Sequence, residues 1–431
     1  MIKIITDVLW SIALVFLVGG GFYFSFKLKF PQFKITSLFK GFKTDDKNSI
    51  SPFKSLTVSL AARVGVGSLA GIALAIYLGG PGSIFWIWIA GIITSINAFC
   101  ESYLGAKYQE RDGSEYKGGP SFYILKGLNN KKLASFYAIL IIIAYIFGFM
   151  AIQANTISVS IEQYYGISPL IIGIVLAFVS GISIMKGLDR IVNITSKLVP
   201  FMGIGYVLLS ITVIVINIDK IPEVLSNIIL SAFDFKAFGM GVLSTFIIGI
   251  QRGTFSTEAG LGTGAIASSC SHSSNKIGIG LIQILGIYFT VFVICTSTAL
   301  IILTSDYTSL SLNNINGIEL TQYALNYHLG KFGIFVLIIS VIALAYSTIV
   351  AGYYYGESNL KYLIKNIKPI HINALKIITV ILLFFGSLAS PSIIWNIVDI
   401  LVAVLAIINM YALIKLRREI ITDYEKFKKH N

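Results

Sequence analysis

The chain has 431 residues, of which 55% are hydrophobic and only 12% are charged, and its mean hydropathy is +0.82. Soluble domains carry about 25% charged residues, so this composition excludes a water-soluble globule. The net charge of +13 would by itself suit a nucleic-acid partner, but the placement of the basic residues described below excludes one. Three scattered cysteines, at 100, 270 and 295, make no metal-type spacing and argue against a disulfide framework.

Apolar runs near the length that crosses a bilayer, about 20 residues, recur along the whole chain. They predict an all-α polytopic membrane protein with eleven transmembrane helices. The first run is too long for a signal core and is expected to be a retained helix. In chain order the predicted spans are 5–26, 54–78, 83–106, 133–160, 168–185, 191–216, 238–268, 277–303, 332–355, 372–390 and 392–414. Short amphipathic stretches at 31–43, 221–231 and 317–328 are expected at the membrane interface.

The basic residues give this topology an orientation. If the N-terminus is outside, the inside segments contain 27 of the 33 Lys and Arg residues and the outside segments contain four. The positive-inside rule then predicts a multi-pass protein of the cell (plasma or inner) membrane with a cytoplasmic C-terminus. The basic residues face the anionic inner leaflet, so the partner that they indicate is the lipid bilayer and not nucleic acid. Nothing in the sequence indicates an oligomeric state.

Two of the predicted spans contain residues that a continuous apolar helix would not need. Arg63–Gly71 in the second span and Gly249–Gly264 in the seventh place glycines, hydroxyls and charges at membrane depth. Unwound backbone is tolerated there only where it lines a cavity or binds something. The two breaks occupy matching positions of two five-span blocks that run in opposite directions, which predicts a transporter site at the bilayer middle. For an isolated Gly-x-Gly, close helix packing is the simpler explanation.

At these breaks the sequence resembles the alanine or glycine:cation symporter family. The resemblance covers most of the chain and rests on Arg63–Gly71 with Tyr77–Trp86, on Glu115–Pro120, on Arg252–Gly262 and on Tyr353–Glu357. It implies a leucine-transporter-type fold with a five-plus-five inverted repeat and one extra N-terminal helix. It also implies sodium-driven symport of a small neutral amino acid, alanine or glycine, with sodium as the coupling ion and no other cofactor.

The domains expected from this resemblance divide the chain into four parts. Residues 1–53 would form the extra transmembrane helix and a cytoplasmic amphipathic segment. Residues 54–220 and 221–414 would form the two inverted repeats, and 415–431 would be a charged cytoplasmic tail, solvated rather than functional.

Residue chemistry predicts how the breaks would bind a zwitterion. A helix that restarts near Ser68 presents the amides of 67–69 and a hydroxyl to a carboxylate, and freed carbonyls at 252–256 can accept from an ammonium. Phe255 is expected to be a lid or pocket wall, or else to serve plain packing. The resemblance places Gln153 in the pocket, while Asn155 is expected to bond a neighbouring helix. The predicted substrate site is Gly65, Val66, Gly67, Ser68, Gln153, Phe255, Ser256 and Gly352.

A sodium site needs several oxygen ligands, as other hard cations do. The resemblance places the ion between the first break and the ninth span. The predicted ligands are the carbonyls of Ala61 and Val64 and the hydroxyls of Ser347 and Thr348. The alternative is that these two hydroxyls bond to their own helix.

Charged side chains at membrane depth cost at least about 2.5–3.5 kcal/mol when they are unpaired. Five charges are the candidates for pairing at that depth, and some of them are expected to form a cytoplasmic gate that breaks and remakes during transport. The gating charges predicted are Arg63, Arg252 and Glu258, and the other two candidates are Glu101 and Asp399.

The sequence departs from the family pattern at two places. Gly65–Ser68 reads Gly-Val-Gly-Ser where family members commonly have Gly-Thr-Gly-Asn, and Gly352 stands where many members carry tryptophan. Losing that large pocket wall would admit a longer substrate than alanine, such as glutamine.

Other classes of function fit less well. A proton-coupled amino acid transporter remains the main alternative, although no lone carboxylate stands out beside the proposed site. An ion channel would need a pore loop or a ring of charges. An enzyme would need catalytic or metal-ligating clusters, and the four histidines lie in loops or the tail. An ATP-driven pump would need a Gly-x-x-x-x-Gly-Lys-Ser/Thr loop, which is missing.

Overall fold

The computed structural model describes residues 2–42, 50–113, 115–185, 187–234, 242–309 and 317–430. Within these ranges the chain is helical apart from loops and one small antiparallel hairpin of β1 (Glu110–Asp112) and β2 (Glu115–Lys117). In chain order the α-helices are α1 (Ile2–Lys27), α2 (Ile35–Leu38), α3 (Pro52–Arg63), α4 (Ala70–Gly79), α5 (Gly82–Lys107), α6 (Pro120–Gly127), α7 (Lys131–Ile142), α8 (Met150–Tyr165), α9 (Pro169–Ile184), α10 (Gly187–Ile216), α11 (Ile221–Ala232), α12 (Val242–Thr257), α13 (Thr263–Ser269), α14 (Lys276–Tyr288), α15 (Thr296–Leu303), α16 (Ile318–Leu363), α17 (Pro369–Leu388), α18 (Pro391–Lys415) and α19 (Arg417–His430).

Short pieces of other helix types connect several of these elements. Two π-helical segments, Ile143–Phe149 and Phe289–Cys295, join α7 to α8 and α14 to α15 into long helices. A left-handed Gly330, with φ of 59°, bends α16 near its start. The 3-10 turns are Pro31–Phe33, Phe39–Phe42, Val66–Ser68, Ile218–Lys220 and Tyr307–Ser309.

Among the described residues, eight helices are long and apolar enough to cross a membrane, and α3 with α4, bent by 59°, would make a ninth. The two other predicted spans correspond to the short apolar helix α9 and to the interrupted pair α12 and α13. The chain is therefore a multi-pass membrane protein, while the count of eleven spans and the inverted repeat stay predictions. Residue 43 of the first amphipathic stretch and residues 238–241 of the seventh span lie outside the described residues.

Both predicted breaks interrupt a helix. Ser51 caps α3 by accepting from the Lys54 amide at 3.3 Å, and the helix ends where Val64 leaves helical geometry at φ −83° and ψ 60°. α12 ends before Glu258, which has a left-handed φ of 54°. Gly260 and Gly262 follow with φ of 87° and 93°, a conformation that glycine adopts without steric cost.

The helix α5 packs against α1, α12, α13 and α14. α1 packs between α5 and α18, and the Trp10 indole donates to the Asp399 carbonyl at 3.1 Å. The additional N-terminal helix is therefore tied to the helices that carry the second break and its partners.

The C-terminal segment corrects one expectation from the sequence. Instead of a solvated tail, it forms α19, whose Ile420 and Tyr424 are buried. Lys107 of α5 bridges Glu419 at 2.5 Å and Asp423 at 2.6 Å. The apolar residues four positions apart bury one face of α19, and Glu419 and Asp423 pair with Lys107 of α5.

Candidate site at the two broken helices

Close packing explains the glycines of the first break. A Cβ on Gly65 would overlap the Thr348 hydroxyl and lie 3.3 Å from Gln153 Oε1. A Cβ on Gly67 would lie 2.9 Å from the Phe255 ring. Both glycines thus allow polar and aromatic side chains of other helices to reach the unwound backbone.

The predicted sodium ligands come together in part. Thr348 Oγ1 donates to the Ala61 carbonyl at 2.8 Å, and Ser347 Oγ donates to the same carbonyl at 3.3 Å. Both hydroxyls also bond to the Leu344 carbonyl of their own helix, at 3.1 and 2.8 Å, as the alternative interpretation expects, and their role as sodium ligands stays a prediction. Among the described residues, none of the hydrogen bonds that join these hydroxyls to α3 reaches Val64.

Gln153 lies against the first break, and its place in a substrate pocket stays a prediction. Its side-chain oxygen accepts a hydrogen bond from the Val66 amide at 3.3 Å. The amides that were expected to face a ligand are less free, because Ser68 donates to the Gly65 carbonyl at 3.2 Å and Leu69 to the Val66 carbonyl at 3.1 Å. The expectation of a row of exposed amides is therefore wrong for Ser68 and Leu69, which the 3-10 turn engages.

The hydroxyls of Ser68 and Ser256 connect the two breaks directly, 2.7 Å apart. Ser256 also contacts the Cys295 thiol at 3.2 Å, and Thr298 donates to the Ser68 carbonyl at 2.8 Å. Sequence reasoning did not single out Cys295 or Thr298. The available signal was a polar run, Thr296 to Thr298, inside an apolar span.

Phe255 belongs to a continuous aromatic stack. Its ring lies parallel to that of Phe149, with centroids 5.0 Å apart, and Phe149 lies parallel to Tyr145 at 4.5 Å. Trp395 packs on Phe255 with centroids 4.8 Å apart. Phe255 thus packs between the first break and α18, its role as a lid or pocket wall stays a prediction, and the three aromatic residues around it were missed by the sequence analysis.

Gly352 and Asn155 lie against different neighbours. A Cβ on Gly352 would lie 3.2 Å from the Tyr145 ring and 3.7 Å from Met150 Cε, so Gly352 adjoins the aromatic stack. Asn155 donates to the Ala389 carbonyl at 2.6 Å. Asn155 therefore bonds a neighbouring segment, as expected, and Gly352 lies where a larger residue would crowd Tyr145.

The three predicted gating charges do not form one group. Arg252 Nη2 is 2.5 Å from Asp399 Oδ2, both side chains are buried, and the guanidinium lies 5.1 Å from the Trp395 ring centroid. Arg252 and Asp399 of α18 are here called the outer pair. Arg252 precedes Phe255 in α12. Glu258 lies on the other side of Phe255, at the end of the same helix.

Arg63 and Glu258 lie with Glu101 in a second group, here called the inner cluster (Arg63, Glu101 and Glu258). Arg63 Nη1 donates to Gln283 Oε1 at 2.9 Å. A Cβ on Gly264 would lie 2.5 Å from Arg63 Nη2 and 2.7 Å from Glu101 Oε1, so both groups converge on this glycine. A side chain at position 264 would have to displace the ends of both side chains.

Glu258 corrects the expectation that no carboxylate stands out beside the site. It follows Ser256 by two residues, its side chain is 1% exposed, and hydroxyls of Tyr145 and Thr263 approach its carboxyl. Neither carboxyl oxygen makes a hydrogen bond of normal geometry with a described residue.

The sodium:alanine symporter family matches residues 1–431, the whole length of the sequence. The chain belongs to this family. It is 36% identical over 439 residues to the Bacillus subtilis protein named "Probable sodium/glutamine symporter GlnT", which covers 100% of this chain and 91% of that relative. It is 35% identical over 436 residues to the Bacillus subtilis "Amino-acid carrier protein AlsT", with 100% and 92% covered.

The crystal structure of MhsT in complex with L-phenylalanine has a TM-score of 0.60 to this symporter-family chain, at 14% sequence identity. The match covers 85% of this chain and 88% of MhsT. At this identity the likeness shows the fold alone, and it supports the predicted leucine-transporter-type fold.

Membership of the sodium:alanine symporter family decides between the broad classes of function. The family and the solved relatives are transporters, which confirms the prediction that the chain is not an enzyme. The orientation of the termini and the roles of the individual site residues are not addressed by these likenesses and stay predictions.

Proposed function

We propose that the chain is a sodium-coupled symporter that imports a small neutral amino acid by alternating access. The observation that carries the proposal is the convergence of α3, α8, α12 and α16 on the first break. Within a few residues the break contacts the Gln153 amide, the Ser256 hydroxyl and the hydroxyls of Ser347 and Thr348. These are neutral oxygen groups, which suit both a hard cation and a zwitterion. Because these groups carry no charge, the net charge of the occupied site would be that of its ligands.

Sodium would bind where the Ala61 carbonyl meets the Ser347 and Thr348 hydroxyls. In the conformation described, both hydroxyls donate to that one carbonyl. On ion binding they would rotate, so that their oxygens and the carbonyl face the ion. Because Thr348 touches Gly65, an ion held there would fix the first break in the geometry that receives the substrate. This contact gives the coupling between ion and substrate a physical basis.

The substrate carboxylate would bind at the start of the first break. The Val66 amide donates to Gln153 Oε1, and a carboxylate oxygen could take the place of that side-chain oxygen. The released Gln153 and the hydroxyls of Ser68 and Ser256 would then be free to bond the substrate. The carbonyls of 252–256 would accept from its ammonium group, and Phe255 would cover it.

The aromatic stack and the two charge groups suggest how access alternates. Phe255, Trp395 and the outer pair close one side of the site, and the inner cluster closes the other. With the N-terminus outside, as the basic residues predict, the outer pair is extracellular and the inner cluster is cytoplasmic. Breaking one group while the other holds would expose the site to one side at a time.

Two features bear on which amino acid is carried. The family is named for alanine, and GlnT is named for glutamine. Gly352 leaves room beside Tyr145 that a tryptophan would fill. We therefore include glutamine with alanine and glycine as candidate substrates.

Uptake into proteoliposomes tests the proposal. Purified protein is supplied with labelled alanine, glycine or glutamine under an inward sodium gradient, with a matched potassium gradient as the control. Sodium-dependent accumulation of one of the three is expected. Equal accumulation under a proton gradient without sodium would favour the proton-coupled alternative, and no accumulation under any gradient would contradict the proposed substrate class.

A further inference from the structure

The inner cluster contains more negative than positive charge. Arg63, Glu101 and Glu258 are 1%, 0% and 1% exposed and come from three different elements: α3, α5 and the α12–α13 junction. Among the positively charged side chains of the described residues, only Arg63 interacts electrostatically with both carboxyls. If all three side chains were ionised, one net negative charge would remain buried at membrane depth.

The other titratable groups that face the inner cluster do not neutralise this charge. Phenols and thiols are uncharged at neutral pH, so they can donate hydrogen bonds but add no positive charge. In the described residues they are Tyr123 of α6, Tyr137 of α7, Tyr145 of the following π-helix, Tyr355 of α16, Cys100 of α5 and Cys270 after α13.

Hydrogen bonding distinguishes the two carboxyls. Although Glu101 Oε1 makes no hydrogen bond with a described residue, Glu101 Oε2 accepts from the Gly262 amide and from Asn409 Nδ2, both at 2.9 Å. Such donors stabilise a carboxylate. Both oxygens of Glu258 lack a hydrogen bond of normal geometry among the described residues. Glu101 is therefore the carboxyl that is better stabilised as a carboxylate. Ionisation of Glu258 costs more free energy.

An unpaired carboxylate at membrane depth costs at least about 2.5–3.5 kcal/mol, whereas a neutral carboxylic acid avoids most of this cost. We propose that the inner cluster is a proton-binding site. In the closed conformation the proton is carried on the Glu258 carboxyl, and it is released to cytoplasmic water when this side of the transporter opens. The inference rests on the proposed function for its role in transport, but the presence of the proton does not depend on that role.

The backbone at Glu258 connects the proton to movement. Glu258 adopts a left-handed conformation, which costs a non-glycine residue about 1–2 kcal/mol, and it lies between α12 and the left-handed glycines that precede α13. A rotation of α13 about this junction would change the surroundings of the carboxyl first. Tyr145, whose hydroxyl approaches Glu258, stacks on Phe149 and so on Phe255. The carboxyl is thus in contact with the wall of the substrate site.

Infrared spectroscopy of the purified full-length protein detects the proton without any transport. The carbonyl stretch of a protonated carboxylic acid is expected in the wild type at neutral pH, with a shift in deuterated water. It should vanish in Glu258→Gln and persist in Glu162→Gln, an exposed residue at the end of α8. A band that persists in Glu258→Gln, or a wild type without the band, would overturn the proposal.

Measurements of uptake distinguish a proton that is released during transport from a proton that stays bound. Glu258→Gln fixes the side chain in a neutral form, so sodium-driven uptake is expected to fall at least tenfold while substrate binding remains measurable. Glu258→Asp, which can release a proton, should recover part of the rate and restore its dependence on internal pH. Wild-type uptake in Glu258→Gln would overturn the proposed release step. If no variant and no wild type showed sodium-dependent uptake, the proposed function would fail, and the infrared result would still decide whether the proton is bound.

Discussion

The two breaks differ in how their polar groups are satisfied. At the first, the unwound backbone meets neutral oxygens of other helices, from Gln153, Ser256 and Thr348, and each of them has a partner. At the second, charged side chains dominate, and Glu258 has no hydrogen bond of normal geometry among the described residues. Neutral, satisfied oxygens suit a site that binds and releases ligands, and charges that can change partner suit a hinge that moves.

The largest expected loss of stability is at the outer pair, and a much smaller loss is expected at the inner cluster. Asp399→Asn leaves the Arg252 guanidinium buried and unpaired, which is expected to cost about 3–5 kcal/mol of stability. Glu258→Gln should cost far less, because the proposed proton already makes Glu258 neutral. Thermal unfolding of the purified proteins measures both.

A double variant controls for damage unrelated to the ion pair. Arg252→Gln with Asp399→Asn removes both charges, so it should be more stable than the single Asp399→Asn variant. Equal stability of Asp399→Asn and the wild type would show that the outer pair does not hold the second broken helix.

A methyl group at the first break tests whether its close packing is needed for binding. Gly65→Ala places a Cβ against the Thr348 hydroxyl, and overpacking of this kind costs about 1–3 kcal/mol. A cost of that size corresponds to a loss of about tenfold or more in sodium affinity. Titration of substrate binding with sodium measures this affinity. Gly71→Ala is the matched control, since its Cβ would lie 3.7 Å from the nearest atom. Equal losses in both variants would mean that helix packing, and not the site, accounts for the glycines.

Substrate size is expected to depend on Gly352. Gly352→Trp introduces a large side chain beside Tyr145, and pocket changes of this kind shift preference by roughly 10–200-fold. Uptake of glutamine should fall more than uptake of alanine, and Gly352→Ala should lie between the wild type and Gly352→Trp. An unchanged substrate profile in Gly352→Trp would remove Gly352 from the pocket.

The smallest effect is expected outside both breaks, where charges meet water. Burial alone would raise the pKa of Asp423, but hydrogen bonds from Lys107 and Tyr103 outweigh it and lower this pKa. A lowered pKa in the folded state stabilises the fold above the unfolded pKa, and this contribution is lost as the pH falls. Asp423→Asn should therefore cost under about 1 kcal/mol at neutral pH and less in acid.

Thermal unfolding across pH measures this difference, with Glu425→Gln, an exposed residue of the same helix, as the control. No loss in Asp423→Asn at any pH would show that α19 is held by its apolar face alone, and a loss that is independent of pH would contradict the role of the ionised carboxylate.

Much of the fold could be predicted because apolar length and glycine content are local signals. The breaks at Gly65 and Glu258 were visible as polar residues inside apolar runs. The docking of α19 was missed because two apolar residues four positions apart, Ile420 and Tyr424, are few among many charges. Pairings across long separations, such as Arg252 with Asp399, have no local signal.

The site was predicted less completely than the fold. Gln153 and the hydroxyls of Ser347 and Thr348 were found through the family resemblance, and the structure brings them to the first break. Phe149 and Trp395 were missed because an aromatic residue in a membrane helix looks the same in sequence whether it packs or lines a site. The engaged amides of the 3-10 turn depend on backbone geometry, which the sequence motif does not determine.

The central claim is that sodium bound by α3 and α16 drives uptake. Its most direct test is the sodium dependence of labelled amino-acid uptake in proteoliposomes, compared between the wild type, the Ser347→Ala and Thr348→Val double variant, and Ser340→Ala. Ser340 bonds only to its own helix among the described residues, through Val336, and serves as the control. Half-saturation is expected to shift to at least tenfold higher sodium in the double variant and to stay unchanged in Ser340→Ala. Half-saturation at the same sodium concentration in all three proteins, or equal uptake in potassium, would contradict it.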